Sequence, residues 1–145
     1  VGGGEPVFSC LKERVSQWGL EGRIRLVGQR RDVSRCMLGS HLFLLPSLAE
    51  GLGMVVVEAQ AAGLPSLVSD VTPEECTVEK SMVQFMSLED GAKAWANRAL
   101  DMISDSRPME AVGNRAVQES AFSIENSAHK LLSIYTIPLS HLNWG

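Results

Sequence analysis

Two glutamates near the middle of the chain, Glu50 and Glu58, are the residues whose type and spacing could do chemistry. They are eight residues apart and enclose the sequence Gly51-Leu52-Gly53. An ionised carboxylate accepts hydrogen bonds and cannot donate them, so it suits a ligand that is rich in hydroxyl groups. From their spacing alone, the two glutamates could also have no function, one as a solvated acid in a loop and the other as an acid on a helix face.

The helix predicted to begin near Gly53 or Met54 has no capping side chain at its start. Gly51 and Gly53 stand where Ser, Thr, Asp or Asn is usual. The first N–H groups of a helix have no internal partner, so together with the helix dipole they can bind an anion. Glycine also lets a ligand approach the backbone closely. The pattern predicts a phosphate site at this helix start.

Glu58 should lie roughly 6–8 Å along the axis from that start, at about 1.5 Å per residue. A diphosphate at the helix start, with Glu58 accepting from ribose and Glu50 from sugar hydroxyls, would suit one nucleotide sugar. Residues 55–57 are three consecutive valines, which have low helix propensity, so we expect burial to hold this helix. A carboxylate in such surroundings is costly without partners, which favours a role for Glu58.

The elements that must position these residues alternate between β-rich and helical runs. This alternation predicts an α/β fold, a Rossmann-like parallel sheet with helices on both faces. Ligands bind outside the carboxyl ends of such strands, where the loop after Pro46 should lie. The apolar run 42–45 should be buried on both faces. The pattern predicts strands at 23–27, 42–45, 66–69 and 82–86 and helices at 6–18, 32–39, 54–62, 89–104, 108–120 and 124–135.

Composition indicates one soluble globular domain, over residues 1–136, followed by a tail at 137–145. The chain has 145 residues, 45% of them hydrophobic and 21% charged, and a net charge of −4. The absence of a basic stripe argues against nucleic acid, and no apolar run approaches the roughly 20 residues of a membrane span. Three separated cysteines suit a reducing cytosol, and the three histidines lack metal-ligand spacing.

The stretch from Glu50-Gly51-Leu52-Gly53 to Glu58-Ala59-Gln60-Ala61-Ala62-Gly63-Leu64-Pro65 resembles the E-x7-E signature of the retaining glycosyltransferase family four. That family has the GT-B fold, with two Rossmann-like domains. Three other stretches are similar to family motifs: Val1–Glu5, Leu26–Val33 and Phe43–Ser47. The resemblance covers about residues 1–100, and residues 69–88 also look like the branch that builds bacterial exopolysaccharide and capsule.

The resemblance implies a role for each matched position of the carboxyl-terminal, donor-binding domain. Glu58 would bind the nucleotide ribose, and Glu50, which we assign as catalytic, would contact the hydroxyls of the donor sugar. The backbone N–H groups of Gly51, Leu52, Gly53 and Met54 would face the sugar and the diphosphate. Gln29 and Arg30 would lie at the base, and Gly3 and Gly4 would form a glycine turn near the cleft. The family implies neither a metal nor another cofactor.

Other interpretations of the flanking residues stay open at this point. Arg30 and Arg31 could be ordinary surface charges, and the glycines near the start could form a simple turn. The acceptor-binding domain and the basic residues that grip the diphosphate would lie upstream of Val1. We therefore expect this chain alone to be inactive, and its exposed strand edges to pair with another copy.

The expected function is the donor-binding part of an enzyme that moves a sugar from a nucleoside diphosphate, UDP by expectation, to a polysaccharide or lipid-linked acceptor. The intact enzyme is expected in the cytoplasm, associated peripherally with the inner face of the membrane. One alternative is a non-catalytic nucleotide-binding or interaction module derived from that domain. Another is a nucleotide-sugar epimerase of the same architecture, although the glycine turn followed by Glu58-Ala59 argues for the transferase.

Overall fold

A computed structural model of the protein describes residues 5–105 and 109–136. The chain divides into two compact units, Val1–Val33 and Ser34–Gly145. The helices are α1 (Glu5–Gln17), α2 (Val33–Leu38), α3 (Met54–Ala61), α4 (Gly91–Asp105), α5 (Glu110–Glu119) and α6 (Ile124–Tyr135). The strands are β1 (Phe43–Leu45), β2 (Ser66–Ser69) and β3 (Val83–Met86). The predicted tail at 137–145 lies outside the described residues.

The first unit contains α1 and the irregular segment that follows it. The predicted helix is confirmed, and it ends where Leu20 N–H donates to Val15 O at 3.0 Å. The predicted strand at 23–27 is wrong, because these residues form turns and irregular backbone. A strand exists only where a neighbouring strand completes its hydrogen-bond ladder, and no described strand pairs with this segment. Ile24 N–H instead donates to Leu20 O at 2.8 Å.

The second unit is built on a three-stranded parallel sheet in the order β1-β2-β3. Phe43 pairs with Ser66 in the first ladder, and Ser66 pairs with Val83 in the second. Helix α3 connects β1 to β2, and two 3₁₀ turns, Glu74–Cys76 and Lys80–Met82, lie between β2 and β3. Since the strands are parallel, their carboxyl ends share one edge of the sheet.

Helices cover both faces of this sheet, as predicted. Successive residues of a strand point to opposite faces, so Val68 and Leu67 enter different cores. Val68 packs with Val56 and Val57 of α3, against which Val117 of α5 also packs. Leu67 packs against α4, through Trp95, Ala99 and Met102. Burying such a side chain stabilises the fold by roughly 1.5–3 kcal/mol.

The first strand, β1, departs from the prediction that it is buried on both faces. Leu44 is 48% exposed, while Phe43 and Leu45 are partly buried against the α3 core. The reason is that β1 is the outer strand of the described sheet and pairs with β2 alone. On its exposed face, Leu44 and Pro46 line an apolar groove of about 410 Å³ together with Trp95 of α4.

The helix boundaries follow local signals closely. Helix α3 stops just before Gly63, which has a φ of 72°, and Pro65 prevents continuation. Helix α4 begins two residues later than predicted, because Leu88–Asp90 form a 3₁₀ turn instead. The Ser87 hydroxyl caps that turn by accepting from Glu89 N–H at 3.4 Å. Within residues 5–105 and 109–136, no helix combines the length and apolarity that crossing a bilayer requires.

Candidate functional site

The β1–α3 loop, residues 46–53, lies at the carboxyl edge of the parallel sheet. Its tip points to solvent, with Leu48 86% exposed and Leu52 48% exposed. Its last residue, Gly53, is buried. The loop therefore presents an exposed tip between two anchored ends, where the sequence predicts ligand binding.

Glu50 is held in this loop by two consecutive hydrogen bonds. The hydroxyl of Ser69, at the end of β2, donates to the backbone carbonyl of Ser47 at 2.7 Å. The hydroxyl of Ser47 donates to Glu50 Oε1 at 2.6 Å. Glu50 is partly buried, and its Oε2 makes no hydrogen bond within the part of the chain that the structure describes. The carboxylate thus has a fixed orientation and an acceptor oxygen to spare.

The start of α3 is uncapped by any side chain, which confirms the prediction from sequence. Gly53 is the N-cap residue, in the left-handed conformation with φ 69° and ψ 36°. Its carbonyl accepts the N–H of Val56 at 2.8 Å. The N–H groups of Met54 and Val55 precede this bond and have no acceptor inside the helix. That these groups bind a phosphate stays a prediction.

Gly53 is required by its conformation and by what packs against it. A Cβ added there would lie 3.0 Å from the Thr72 methyl and 3.4 Å from Cys76 Cβ. Thr72 and Cys76 are both buried, and burial raises the pKa of the Cys76 thiol. The turn at the start of α3 is therefore seated on the segment that follows β2.

Gln60, which the sequence interpretation did not single out, holds that segment against α3. Its side chain is completely buried. The amide nitrogen donates to Val56 O at 3.0 Å and to Cys76 O at 2.8 Å. The amide oxygen accepts the N–H groups of Val78 and Glu79, both at 2.9 Å. The sequence signal that could have marked Gln60 is a neutral amide among the apolar residues of a helix expected to be buried.

Helix α5 packs closely against the other side of α3, and glycines lie at the points of contact. A Cβ at Gly113 would collide with the backbone carbonyl of Gln60. A Cβ at Gly63 would collide with the backbone of Glu110, at the start of α5. The two helices consequently touch backbone to backbone, which fixes α3 firmly within its unit.

Glu58 is exposed, so the prediction that its carboxylate lies in buried surroundings is wrong. Residues of a helix advance by about 100° each, at 3.6 residues per turn. Val56, Val57 and Gln60 face the core, and Glu58 falls on the opposite side. It shares this solvent face with Met54, one turn earlier, which is 46% exposed. Burial of the three valines was predicted correctly, since two are buried and Val55 is partly buried.

The remaining predicted residues belong to the other unit, Val1–Val33. Gln29 and Arg30 are exposed. The Arg30 guanidinium forms a two-point ion pair with Asp32, at 2.8 and 2.6 Å. Hydrogen bonding from Arg30 holds the pKa of the Asp32 carboxyl below its usual value. Gly3 and Gly4 lie outside the described residues, so their role stays a prediction.

Fold and loop together define a class: a Rossmann-like α/β protein with a candidate anion site at the carboxyl edge of its sheet. The family described as Glycosyl transferases group 1 matches residues 1–119. Since this match covers most of the chain, the protein belongs to that family.

Individual relatives agree with the family assignment. The chain is 27% identical over 137 residues to a protein of Bacillus subtilis named "Putative glycosyltransferase EpsF", covering 94% of this chain and 36% of that one. It is also 27% identical over 137 residues to the Escherichia coli "UDP-Gal:alpha-D-GlcNAc-diphosphoundecaprenol alpha-1,3-galactosyltransferase", covering 93% and 35%. The chain thus spans about a third of the length of these relatives.

A solved structure supports the fold. Sucrose-phosphate synthase from Thermosynechococcus elongatus superposes with a TM-score of 0.74 at 25% identity, covering 88% of this chain and 33% of that chain. The expected fold is therefore confirmed, and so is membership of a glycosyltransferase family, whereas the assignment to the E-x7-E signature stays a prediction. Retention of configuration, the UDP donor, the exopolysaccharide branch and the roles of individual residues stay predictions.

Proposed function

We propose that this chain is the donor-binding part of a retaining glycosyltransferase, in which the intact enzyme moves a sugar from a UDP-sugar to a polysaccharide or lipid-linked acceptor. The observation that carries this proposal is that the loop holding the hydrogen-bonded Glu50 carboxylate leads directly into the uncapped start of α3. Family membership supports the reaction class. The E. coli relative, by its printed name, uses UDP-Gal and an acceptor linked to diphosphoundecaprenol.

The diphosphate would lie at the start of α3, against the N–H groups of Met54 and Val55. These donors and the helix dipole would stabilise the charge that develops when the bond from the anomeric carbon to the diphosphate oxygen breaks. The electron pair of that bond leaves with the diphosphate. The acceptor hydroxyl oxygen forms the new bond on the same face of the sugar, and its proton passes to the departing phosphate oxygen.

The two glutamates would hold the hydroxyl groups on either side of the diphosphate. Glu58, on the solvent face of α3, would accept from the ribose. Glu50 would accept from the donor sugar through Oε2, since Oε1 is bound by Ser47. Gln29 and Arg30, as base-binding residues, and Gly3 and Gly4, as a glycine turn, stay part of the proposal by family resemblance alone. No metal and no other cofactor takes part in the proposed transfer.

The acceptor domain belongs to the longer protein in this proposal, and this chain alone is inactive. We further propose a cytoplasmic enzyme at the inner face of the membrane, by analogy with the lipid-linked acceptor in the name of the E. coli relative. A second candidate is a non-catalytic interaction module. The half-exposed Leu44 on the outer strand and the apolar groove beside it favour that alternative, through pairing with another copy.

Calorimetric titration of UDP into the chain tests the nucleotide half of the proposal. The variant is Glu58→Gln, and Glu125→Gln on α6 is the matched control, since both glutamates are exposed on helices. Loss of a charge-assisted hydrogen bond should weaken UDP binding roughly tenfold to a hundredfold in Glu58→Gln. The control should bind as the wild type does. A folded chain without affinity for UDP, or equal affinities for Glu58→Gln and wild type, would contradict the proposal.

Light scattering separates the second candidate from the first. A chain that dimerises and ignores UDP is an interaction module, and one that binds UDP, whether as a monomer or as a dimer, is a donor-binding part. Introducing a charge by Leu44→Glu should abolish any association through the outer strand, because like charges then face each other across the pair.

A further inference from the structure

Ser69 is a completely buried serine at the carboxyl end of β2. Hydroxyl groups that are buried cost free energy unless they are hydrogen-bonded, so their partners are informative. The other serine of this strand, Ser66, is equally buried and donates to Leu64 O at 3.2 Å, two residues away. Ser69 instead donates to the carbonyl of Ser47, which is 22 residues away in the sequence.

This bond ties the end of β2 to the beginning of the β1–α3 loop. Ser47 is also the residue whose hydroxyl donates to Glu50 Oε1, at 2.6 Å. Anchoring the Ser47 backbone therefore anchors the donor that orients the Glu50 carboxylate. The neighbouring strand end is tied as well, since Asp70 N–H donates to Met86 O at 3.2 Å.

We propose that Ser69 is a positioning residue for the donor sugar, acting through Ser47 on the orientation of Glu50. The inference rests on the proposed function, because it takes Glu50 as the ligand of the sugar hydroxyls. Ser69 makes no contact with the donor. Its loss allows the loop backbone at Ser47 to shift, so that Oε2 of Glu50 no longer stands at a fixed position.

The inference predicts which part of the donor loses affinity. The proposed nucleotide contacts, at the start of α3 and at Glu58, do not use the Ser69 hydroxyl, which bonds Ser47. The contribution of the sugar is measured by the ratio of the dissociation constant of UDP to that of the UDP-sugar. The ratio should fall in Ser69→Ala, while the dissociation constant of UDP alone stays as in the wild type.

The experiment measures this ratio by calorimetry with UDP and with the tightest-binding of UDP-galactose, UDP-glucose and UDP-N-acetylglucosamine. Ser66→Ala is the matched control on the same strand. Ser47→Ala breaks the same series of bonds at a partly buried position, should Ser69→Ala fail to fold. We expect the ratio to fall about fivefold in Ser69→Ala and in Ser47→Ala, the size of one net hydrogen bond, and to be unchanged in Ser66→Ala.

A double-mutant cycle with Glu50→Gln separates positioning from a structural effect. If Ser69 acts through Glu50, its replacement costs nothing further once Glu50→Gln is present. Equal weakening of UDP and UDP-sugar in Ser69→Ala, or additive losses in the cycle, would overturn the inference alone. A wild-type chain that binds no UDP, or binds every UDP-sugar no better than UDP, would overturn the proposed function together with it.

Discussion

Glu50 and Glu58 differ in how the protein holds them, although both belong to one short motif. Glu50 lies on a loop, is partly buried, and takes its orientation from the Ser47 hydroxyl. Glu58 lies on the solvent face of α3, and its side chain accepts no hydrogen bond within the described ranges. Its position is set by the helix backbone alone, which Gln60 and α5 hold in place.

One site can therefore hold its binding side chains in place in two ways. A helix that is packed on both sides supplies a rigid backbone, and a side chain on it needs no further support. A loop lacks a regular backbone ladder, so ordering its side chain costs conformational entropy that specific hydrogen bonds must offset. Each route fails under different substitutions, and three variants and one labelling experiment test this.

The largest effect is expected for Gly113→Ala, which disturbs the packing of α3, the helix that carries Glu58. The added Cβ collides with the Gln60 carbonyl, so α5 must move away from α3. We expect the free energy of unfolding, from urea denaturation, to fall by about 3 kcal/mol. Gly22→Ala is the control, because nothing lies within 4 Å of a Cβ there. Equal stability of the two variants would mean that α5 does not hold α3.

Gln60→Leu should have the next largest effect. It removes the acceptor of the Val78 and Glu79 N–H groups and the donor to Cys76 O. Leaving partly buried N–H groups unsatisfied should lower the free energy of unfolding by about 2 kcal/mol. Gln118→Leu on the exposed face of α5 should stay within about 0.5 kcal/mol of the wild type. If both substitutions cost the same, the Gln60 hydrogen bonds contribute nothing specific.

Ser47→Ala tests the loop route and should cost about 1 kcal/mol, the net value of one hydrogen bond. Its distinctive result is dynamic. In the wild type, NMR relaxation should find the Glu50 side chain more restricted than that of Glu58, and the substitution should remove this difference. Ser81→Ala, which breaks a second Ser–Glu hydrogen bond on the surface, should leave Glu50 unaffected. A Glu50 side chain that is already as mobile as Glu58 in the wild type would refute the contrast.

The smallest effect on stability is expected for Cys10→Ser and Cys36→Ser, because both residues are exposed. The rate at which a thiol reagent labels the remaining Cys76 reports how often the turn between the two glutamates opens. Cys10 and Cys36 are exposed, whereas Cys76 is buried beneath Gly53. Burial also raises the pKa of Cys76, which lowers its thiolate fraction at a given pH. We expect Cys76, isolated by Cys10→Ser and Cys36→Ser, to react on the order of a hundredfold more slowly than Cys36. Similar rates would show that the turn opens readily.

The sequence predicted the parts of the site that depend on local signals. The glycines at 51, 53 and 63 and the proline at 65 located α3 and its uncapped start. The alternation of helical and strand runs predicted the parallel sheet. The limits of α3 depend on residues within one turn of each other, and the parallel sheet follows from the order of the elements along the chain, so a single sequence suffices to find both.

The features that were missed depend on partners far along the chain. Gln60 bonds Cys76 across 16 residues, and Ser69 bonds Ser47 across 22, so nothing local marks either residue. The strand predicted at 23–27 and the burial predicted for Leu44 failed for a related reason. Both depend on which strand lies alongside, and periodicity reports only the preference of a segment and not its neighbours.

The anchoring of the β1–α3 loop at both ends determines which of its positions tolerate substitution. At Gly53, the left-handed backbone and the Thr72 methyl disfavour any other side chain, and at Ser47 two hydrogen bonds converge. At the tip, Leu48 is 86% exposed and carries no such constraint. A library randomised from 47 to 53 and selected for folding should keep serine and glycine at its ends and accumulate diversity at Leu48. The tip is therefore the natural target for directed evolution towards another ligand.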